Sequence, residues 1–142
     1  MSIYSNFPVL IVEDNPDDRI AITRELNKIE PRMLLEFEET ASGALISLKE
    51  KKTAGQVALP KVIILDLNLP GMSGIEMLRT LRAEPILAHI PVIVLTGSDD
   101  PKHLISAFQD NVSSYVLKPA KLEDLREVLR IIASFLQICE FV

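Results

Sequence analysis

The sequence predicts an α/β domain built on a doubly wound parallel sheet of five strands with helices on both faces. Three observations predict it. Short apolar runs alternate with segments of helical period along the chain. The run Val62-Ile63-Ile64-Leu65 shows no polar alternation, as a strand covered on both faces requires. Four of the runs end on groups that carry chemistry: Glu13 and Asp14, Asp66, Thr96, and Lys118. In parallel α/β sheets, ligands bind beyond the carboxyl ends of the strands, where the strand order reverses.

The elements follow in order. Strands are expected over 9–12, 34–38, 62–65, 92–95 and 115–117, and helices over about 17–30, 42–52, 73–83, 101–110 and 122–140. Pro16 belongs in a first helical turn, with Asn15 as its N-cap. Ser42 is expected to cap the second helix. Ser73 and Glu76 have capping-box spacing. Asp99 or Asp100 before Pro101 marks the start of another helix. Pro91 opens a strand, where a missing N–H is tolerated. The polar stretch 51–55 reads as a surface loop. No internal repeat, low-complexity segment or linker interrupts the chain. One domain over 1–142 is expected, with its core over about 7–135 and its last helix extending toward 142.

Composition narrows the function. A chain of 142 residues, 48% apolar and 25% charged, describes one folded soluble domain. The net charge of −5 and the lack of a Lys/Arg-rich stretch argue against a nucleic-acid partner. No run of about 18 apolar residues occurs, so no membrane span is expected. The single cysteine, Cys139, excludes an intrachain disulfide and a thiolate zinc site. The N-terminal residues lack a signal-like segment, and a cytoplasmic location is expected.

The strand-end groups define a chemistry. Glu13, Asp14 and Asp66 carry three negative charges. Two carboxylates about 4 Å apart repel by roughly 4 kcal/mol at an effective dielectric near 20. A divalent cation plus the Lys118 ammonium balances the charge, and hard oxygen ligands favour Mg²⁺ or Mn²⁺. A carboxylate can attack phosphorus to form an acyl phosphate, and that reaction chiefly needs charge neutralised on the transferring oxygens. The dication, Lys118 and the Thr96 hydroxyl would each hold one phosphoryl oxygen. Asp17 and Asp18 read as first-turn acids favoured by the helix dipole, not as part of the metal site. His89 and His103 read as surface or loop residues, and Met72 and Met77 as packing residues.

Four motifs carry a resemblance over about 9–135: Val12-Glu13-Asp14-Asn15, the run from Leu65-Asp66 through Pro70-Gly71-Met72-Ser73-Gly74, Val94-Leu95-Thr96-Gly97-Ser98, and Tyr115-Val116-Leu117-Lys118-Pro119. Together they resemble a response-regulator receiver domain, the phosphoacceptor half of two-component signalling. The resemblance implies a flavodoxin-like fold of strand order 2-1-3-4-5. It implies that Asp66 is the phosphoacceptor and that Asp14, Asp66 and the Asn68 carbonyl bind Mg²⁺, with Glu13 acting through water. Thr96 and Lys118 would bind the phosphoryl group. Tyr115 would be the switch residue, turning inward as Thr96 moves toward the phosphate. The Lys118–Pro119 peptide would be cis, and Gly97 would keep the entry beside Thr96 small. Ser114 departs from the glycine frequent before the switch aromatic. Asn68 and Ser98 flank the path of an attacking water, so changing either is expected to alter dephosphorylation.

The resemblance also implies a sensor histidine kinase as partner. The long loop before the third strand, the connection from Arg82 to Val92 and the apolar tail are similar to the small stand-alone receivers that partner phytochrome-type kinases. No output domain is expected, so the signal would leave by docking, dimerisation or onward phosphotransfer. Turnover of an outside substrate is not expected. A haloacid-dehalogenase-type phosphohydrolase would want a second acid two residues after its nucleophile, where this chain has Asn68. A flavin module would need a phosphate-cradling loop where this chain has Glu13-Asp14-Asn15-Pro16-Asp17-Asp18. A pseudo-receiver that binds partners without phosphorylation is the remaining alternative. The last helix bears two stripes. Leu122, Leu125, Leu129, Ile132, Leu136 and Cys139 should pack on the sheet, while Val128, Ile131, Phe135, Ile138 and Val142 form a second face. That second face is either buried under a folded-back tail or pairs two chains as a homodimer.

Overall fold

The computed structural model describes residues 6–55 and 58–141. Five parallel strands, β1 (Phe7–Val12), β2 (Met33–Glu38), β3 (Val62–Leu65), β4 (Val92–Thr96) and β5 (Ser114–Leu117), form one sheet of order β2-β1-β3-β4-β5. The helices between and after them are α1 (Pro16–Ile29), α2 (Ala41–Ala54), α3 (Gly74–Ala83), α4 (Pro101–Gln109) and α5 (Leu122–Ile138). The chain leaves β1 toward β2 and then crosses back to β3 on its other side. The order therefore reverses between β1 and β3, and a crevice opens beyond their carboxyl ends.

Strand alternation divides the core in two. Leu10, Val12, Ile63, Leu65, Val92 and Val94 face the layer containing α2, α3 and Ala107 of α4. Val9, Ile11, Val62, Ile64, Ile93 and Leu95 face the layer containing α1 and α5. Every residue of β3 and β4 is buried, which matches their unbroken apolar runs.

Local signals mostly act as expected. Asn15 accepts from the Asp17 and Asp18 amides, Ser73 from Glu76, and Asp100 from Lys102. Two expectations need correction. Thr40, not Ser42, caps α2: its hydroxyl accepts from the Gly43 amide at 3.0 Å. Both residues suit the role, and the extended backbone at Thr40 (φ −129°, ψ 152°) decides it. The stretch 51–55 is not a loop. Helix α2 runs to Ala54 because Lys51 and Lys52 are good helix formers that find acidic partners, Glu36 and Glu84. Gly55, at φ +111°, ends the helix.

The last helix ends at Ile138, short of 140. Its chain turns so that the Phe141 ring lies 5.7 Å from Phe7 and covers the amino end of the sheet. Leu125, Leu129, Ile132 and Leu136 pack on the sheet, but Leu122 is half exposed because it opens the helix beyond the sheet's end. In the second stripe, Ile131, Phe135 and Ile138 are 63%, 50% and 79% exposed. Val128 leans on the core, and Val142 lies outside the described residues.

Candidate functional site: an acidic crevice at the strand ends

Each functional side chain stands where a strand stops. Glu13 follows β1, Asp66 follows β3, Thr96 closes β4 and Lys118 follows β5. Leu65 pairs with both Val12 and Val94, and this register brings the strand ends level. Carboxylate oxygens of Glu13, Asp14 and Asp66 lie within 4.8 Å of one another. Glu13 and Asp66 are buried, whereas Asp14 is exposed at the rim. One open side thus admits a ligand to two sheltered acids.

Asp66 is held by three donors. The Thr96 hydroxyl donates to Oδ1 at 2.8 Å and the Asn68 amide to the same oxygen at 3.0 Å. Lys118 Nζ donates to Oδ2 at 3.0 Å. Lys118 also reaches Glu13 at 2.5 Å and Asp18 at 2.9 Å. Burial alone would lower the ammonium's pKa, but bonds to the three acids outweigh it and drive the value well up. The lysine is a fixed positive charge. Burial raises the Glu13 carboxyl, and the hydrogen bond and charge of Lys118 only partly oppose that. One ammonium therefore faces more acid than it neutralises. That surplus, on hard oxygens around a partly open crevice, fits a divalent cation held by Glu13, Asp14 and Asp66.

Gly74 sets the site's rear wall. A Cβ there would come within 2.6 Å of the Asp66 carbonyl oxygen and 2.7 Å of Leu67 Cα. Only a glycine lets α3 begin so close to the end of β3. Gly97 carries no such demand, since a Cβ there meets no atom within 4 Å.

Tyr115 lies half-buried on β5, and its hydroxyl donates to the Ser98 carbonyl at 2.9 Å. Ser98 ties back to the site through its amide, which donates to Thr96 Oγ1 at 3.3 Å. The Lys118–Pro119 peptide, expected cis, is trans: no cis bond occurs among the described residues. Trans is the lower-energy isomer of an X-Pro bond, and in it Lys118 already reaches its three acids. Asp18, read as a first-turn acid alone, belongs to the site as a Lys118 partner. Its place in the turn that follows Glu13-Asp14 was the available signal. His103, read as a surface residue, is half-buried and bonded to Ser98 through Nδ1.

The chain that carries this acid triad, hydroxyl, lysine and aromatic is similar in sequence and fold to known proteins. The family model described as response regulator receiver domain matches residues 9–130. The chain is 32% identical over 139 residues to response regulator Rcp1 of Synechocystis sp., covering 95% of this chain and 93% of that one. The solved structure of the phosphorylated cyanobacterial phytochrome response regulator RcpA is similar, with a TM-score of 0.87 and 28% identity over 96% of this chain and 99% of that one. The Mn²⁺-bound form of Rcp1 is similar too, with a TM-score of 0.79 and 27% identity over 96% of this chain and 99% of that one. Sequence, fold and the convergence of four strand ends on Asp66 agree: this chain belongs to the response regulator receiver domain family.

Proposed function

We propose that this chain is a cytoplasmic response regulator that accepts a phosphoryl group on Asp66 from the phosphohistidine of a sensor histidine kinase. One observation carries the reading: Asp66 is a nearly buried carboxylate bonded to the Thr96 hydroxyl and the Lys118 ammonium, with Glu13 and Asp14 beside it. An Asp66 oxygen forms the new O–P bond as the P–N bond of the donor breaks. The electron pair stays on the departing ring nitrogen, and the imidazole leaves neutral when its other nitrogen carries the proton. Thr96 and Lys118 exchange their bonds to Asp66 for bonds to phosphoryl oxygens. Asp14, Asp66 and the Asn68 carbonyl, with Glu13 acting through water, would hold Mg²⁺ or Mn²⁺, which would supply positive charge against the transferring oxygens. Likeness to the Mn²⁺-bound Rcp1 structure supports the metal, and likeness to Rcp1 and RcpA supports a phytochrome-type kinase as donor. Outside substrates are not turned over in this reading; the product is a changed docking surface.

A homodimer belongs to the same reading. Ile131, Phe135 and Ile138 form an exposed apolar stripe on α5, and Leu117 of the adjoining β5 is 51% exposed. Among the described residues no element covers this stripe, which suits a second copy of the chain.

The test is incubation with a small acyl phosphate, with and without Mg²⁺, followed by intact-mass measurement. One labile phosphoryl adduct, dependent on Mg²⁺ and absent from Asp66→Asn, is expected. A wild-type chain that gains no adduct in the presence of Mg²⁺ overturns the assignment.

A further inference from the structure

The loop between β4 and α4 is held by one residue, Ser98, which uses all three of its polar groups in different directions. Its amide donates to Thr96 Oγ1 at 3.3 Å, and Thr96 in turn donates to Asp66. Its carbonyl accepts from the Tyr115 hydroxyl on β5. Its hydroxyl lies 2.5 Å from His103 Nδ1, in the first turn of α4, while also accepting from the Asp100 amide at 3.4 Å. An unbroken hydrogen-bonded chain therefore runs from the phosphoacceptor to helix α4.

That last link matters because α4 is weakly docked. Ala107 is the one buried residue among its nine, and Leu104, Ile105 and Phe108 are 41%, 57% and 50% exposed. A helix with so little buried surface takes its position from the bonds at its two ends. Arg82 holds the far end through the Asp110 and Asn111 carbonyls, and the near end is held by the Asp100 cap and the Ser98–His103 pair.

We infer that His103 is a positioning residue that latches the β4–α4 loop in the arrangement where Thr96 is bonded to unmodified Asp66. The inference rests on the phosphoacceptor reading of Asp66. Modification requires the Thr96 hydroxyl to leave Asp66, which disturbs the acceptor of the Ser98 amide. Ser98 can follow only as far as His103 allows. The latch thus opposes phosphorylation, and its release frees α4 with its exposed apolar residues. His103 bonds Ser98 and not Asp66, so it acts through Ser98.

The test compares wild type with His103→Leu, which removes the bond, and His103→Asn, whose amide can reach the same hydroxyl. Ser98→Ala breaks the link from its other side should the leucine variant fail to fold. The probe is a small acyl phosphate with saturating Mg²⁺, read by intact mass as the initial rate of adduct gain, before hydrolysis of the adduct contributes. Loss of one internal hydrogen bond should speed modification on the order of 3- to 10-fold in His103→Leu and Ser98→Ala. The asparagine variant should return within about twofold of wild type, and Mg²⁺ affinity should not move. In the unmodified chain, amide exchange at Ser98 and Asp100 should quicken in His103→Leu alone of the two His103 variants. Wild-type modification rates in the folded His103→Leu chain, or an asparagine variant as fast as the leucine one, overturn the latch and leave Asp66 as acceptor. Failure of wild type itself to gain the adduct overturns the acceptor reading and the latch together.

Discussion

At the scale of single residues, the site depends on one that does no chemistry, Gly74, and two that carry charge, Glu13 and Lys118. Gly74 is placed against the Asp66 carbonyl and Leu67 Cα, both backbone atoms that do not yield easily. Gly74→Ala should destabilise the fold by about 1–3 kcal/mol through overpacking, as measured by urea unfolding. It should also slow modification of Asp66, since relief of the clash displaces the acceptor. Asn111, at φ +58°, is the one non-glycine residue with positive φ among those described; it accepts this conformation at the end of α4. Glu13 pairs with Lys118 in a buried setting, and burial raises its pKa above the ordinary carboxylate value of about 4.3. A carboxyl raised on folding contributes stability that is fully present below that ordinary value and is lost as pH climbs through the raised one. In the presence of chelator, thermal melts should therefore show a Glu13 contribution that declines as pH rises above the ordinary carboxylate value. Glu13→Gln should remove that decline. Added Mg²⁺ should stabilise wild type more at pH 7.5 than at pH 5; equal shifts at the two values would argue against Glu13 as part of the cation site.

At the scale of elements, the connections from α3 to β4 and from α4 to β5 share an unexpected organiser. Arg82 closes α3 and donates to four backbone carbonyls: Asp110 at 2.8 Å, Ala88 at 3.0 Å, Ile90 at 2.8 Å and Asn111 at 3.2 Å. Its guanidinium replaces sheet or helix partners for a loop that would otherwise leave carbonyls unpaired. Burial lowers its pKa, and the nearby Asp110 charge opposes that, so the group stays a cation. Arg82→Met keeps the length of the stem and removes the donors. A loss of about 2–4 kcal/mol in chemical denaturation is expected, without a change in Mg²⁺ affinity. Helix α5 shows the same interplay of local and distant forces. Its apolar period continues past Ile138, yet the helix stops there and Phe141 comes to rest against Phe7.

At the scale of the whole molecule, two faces are set apart. The sheet's carboxyl end carries the acids and the Thr96–Ser98–Tyr115 chain, and β5 connects that end to the exposed stripe of α5. If the stripe pairs two chains, Ile131→Glu combined with Phe135→Glu should halve the mass seen by light scattering while Asp66 still gains its phosphoryl group. A wild-type chain that stays monomeric both unmodified and with a phosphate mimic bound would remove the dimer from the reading. No helix of the described residues is long and apolar enough to cross a membrane.

The elements, their order and the strand-end chemistry were legible in the sequence because they are local or nearly so. An apolar run, its turn residues and the group that ends it sit within ten residues of one another, and a doubly wound sheet places every such end on one side. That is why Glu13, Asp14, Asp66, Thr96 and Lys118 could be named before their distances were known. Tertiary structure alone decided which groups Lys118 bonds, bringing in Asp18 from 100 residues away. It also decided that His103 turns toward Ser98, that Thr40 rather than Ser42 caps α2, and that the Lys118–Pro119 bond is trans. Each of these turns on how a side chain or a single peptide orients, and differs from its alternative by about 1 kcal/mol or less of intrinsic preference. Periodicity does not encode differences that small; the surroundings of the folded chain settle them.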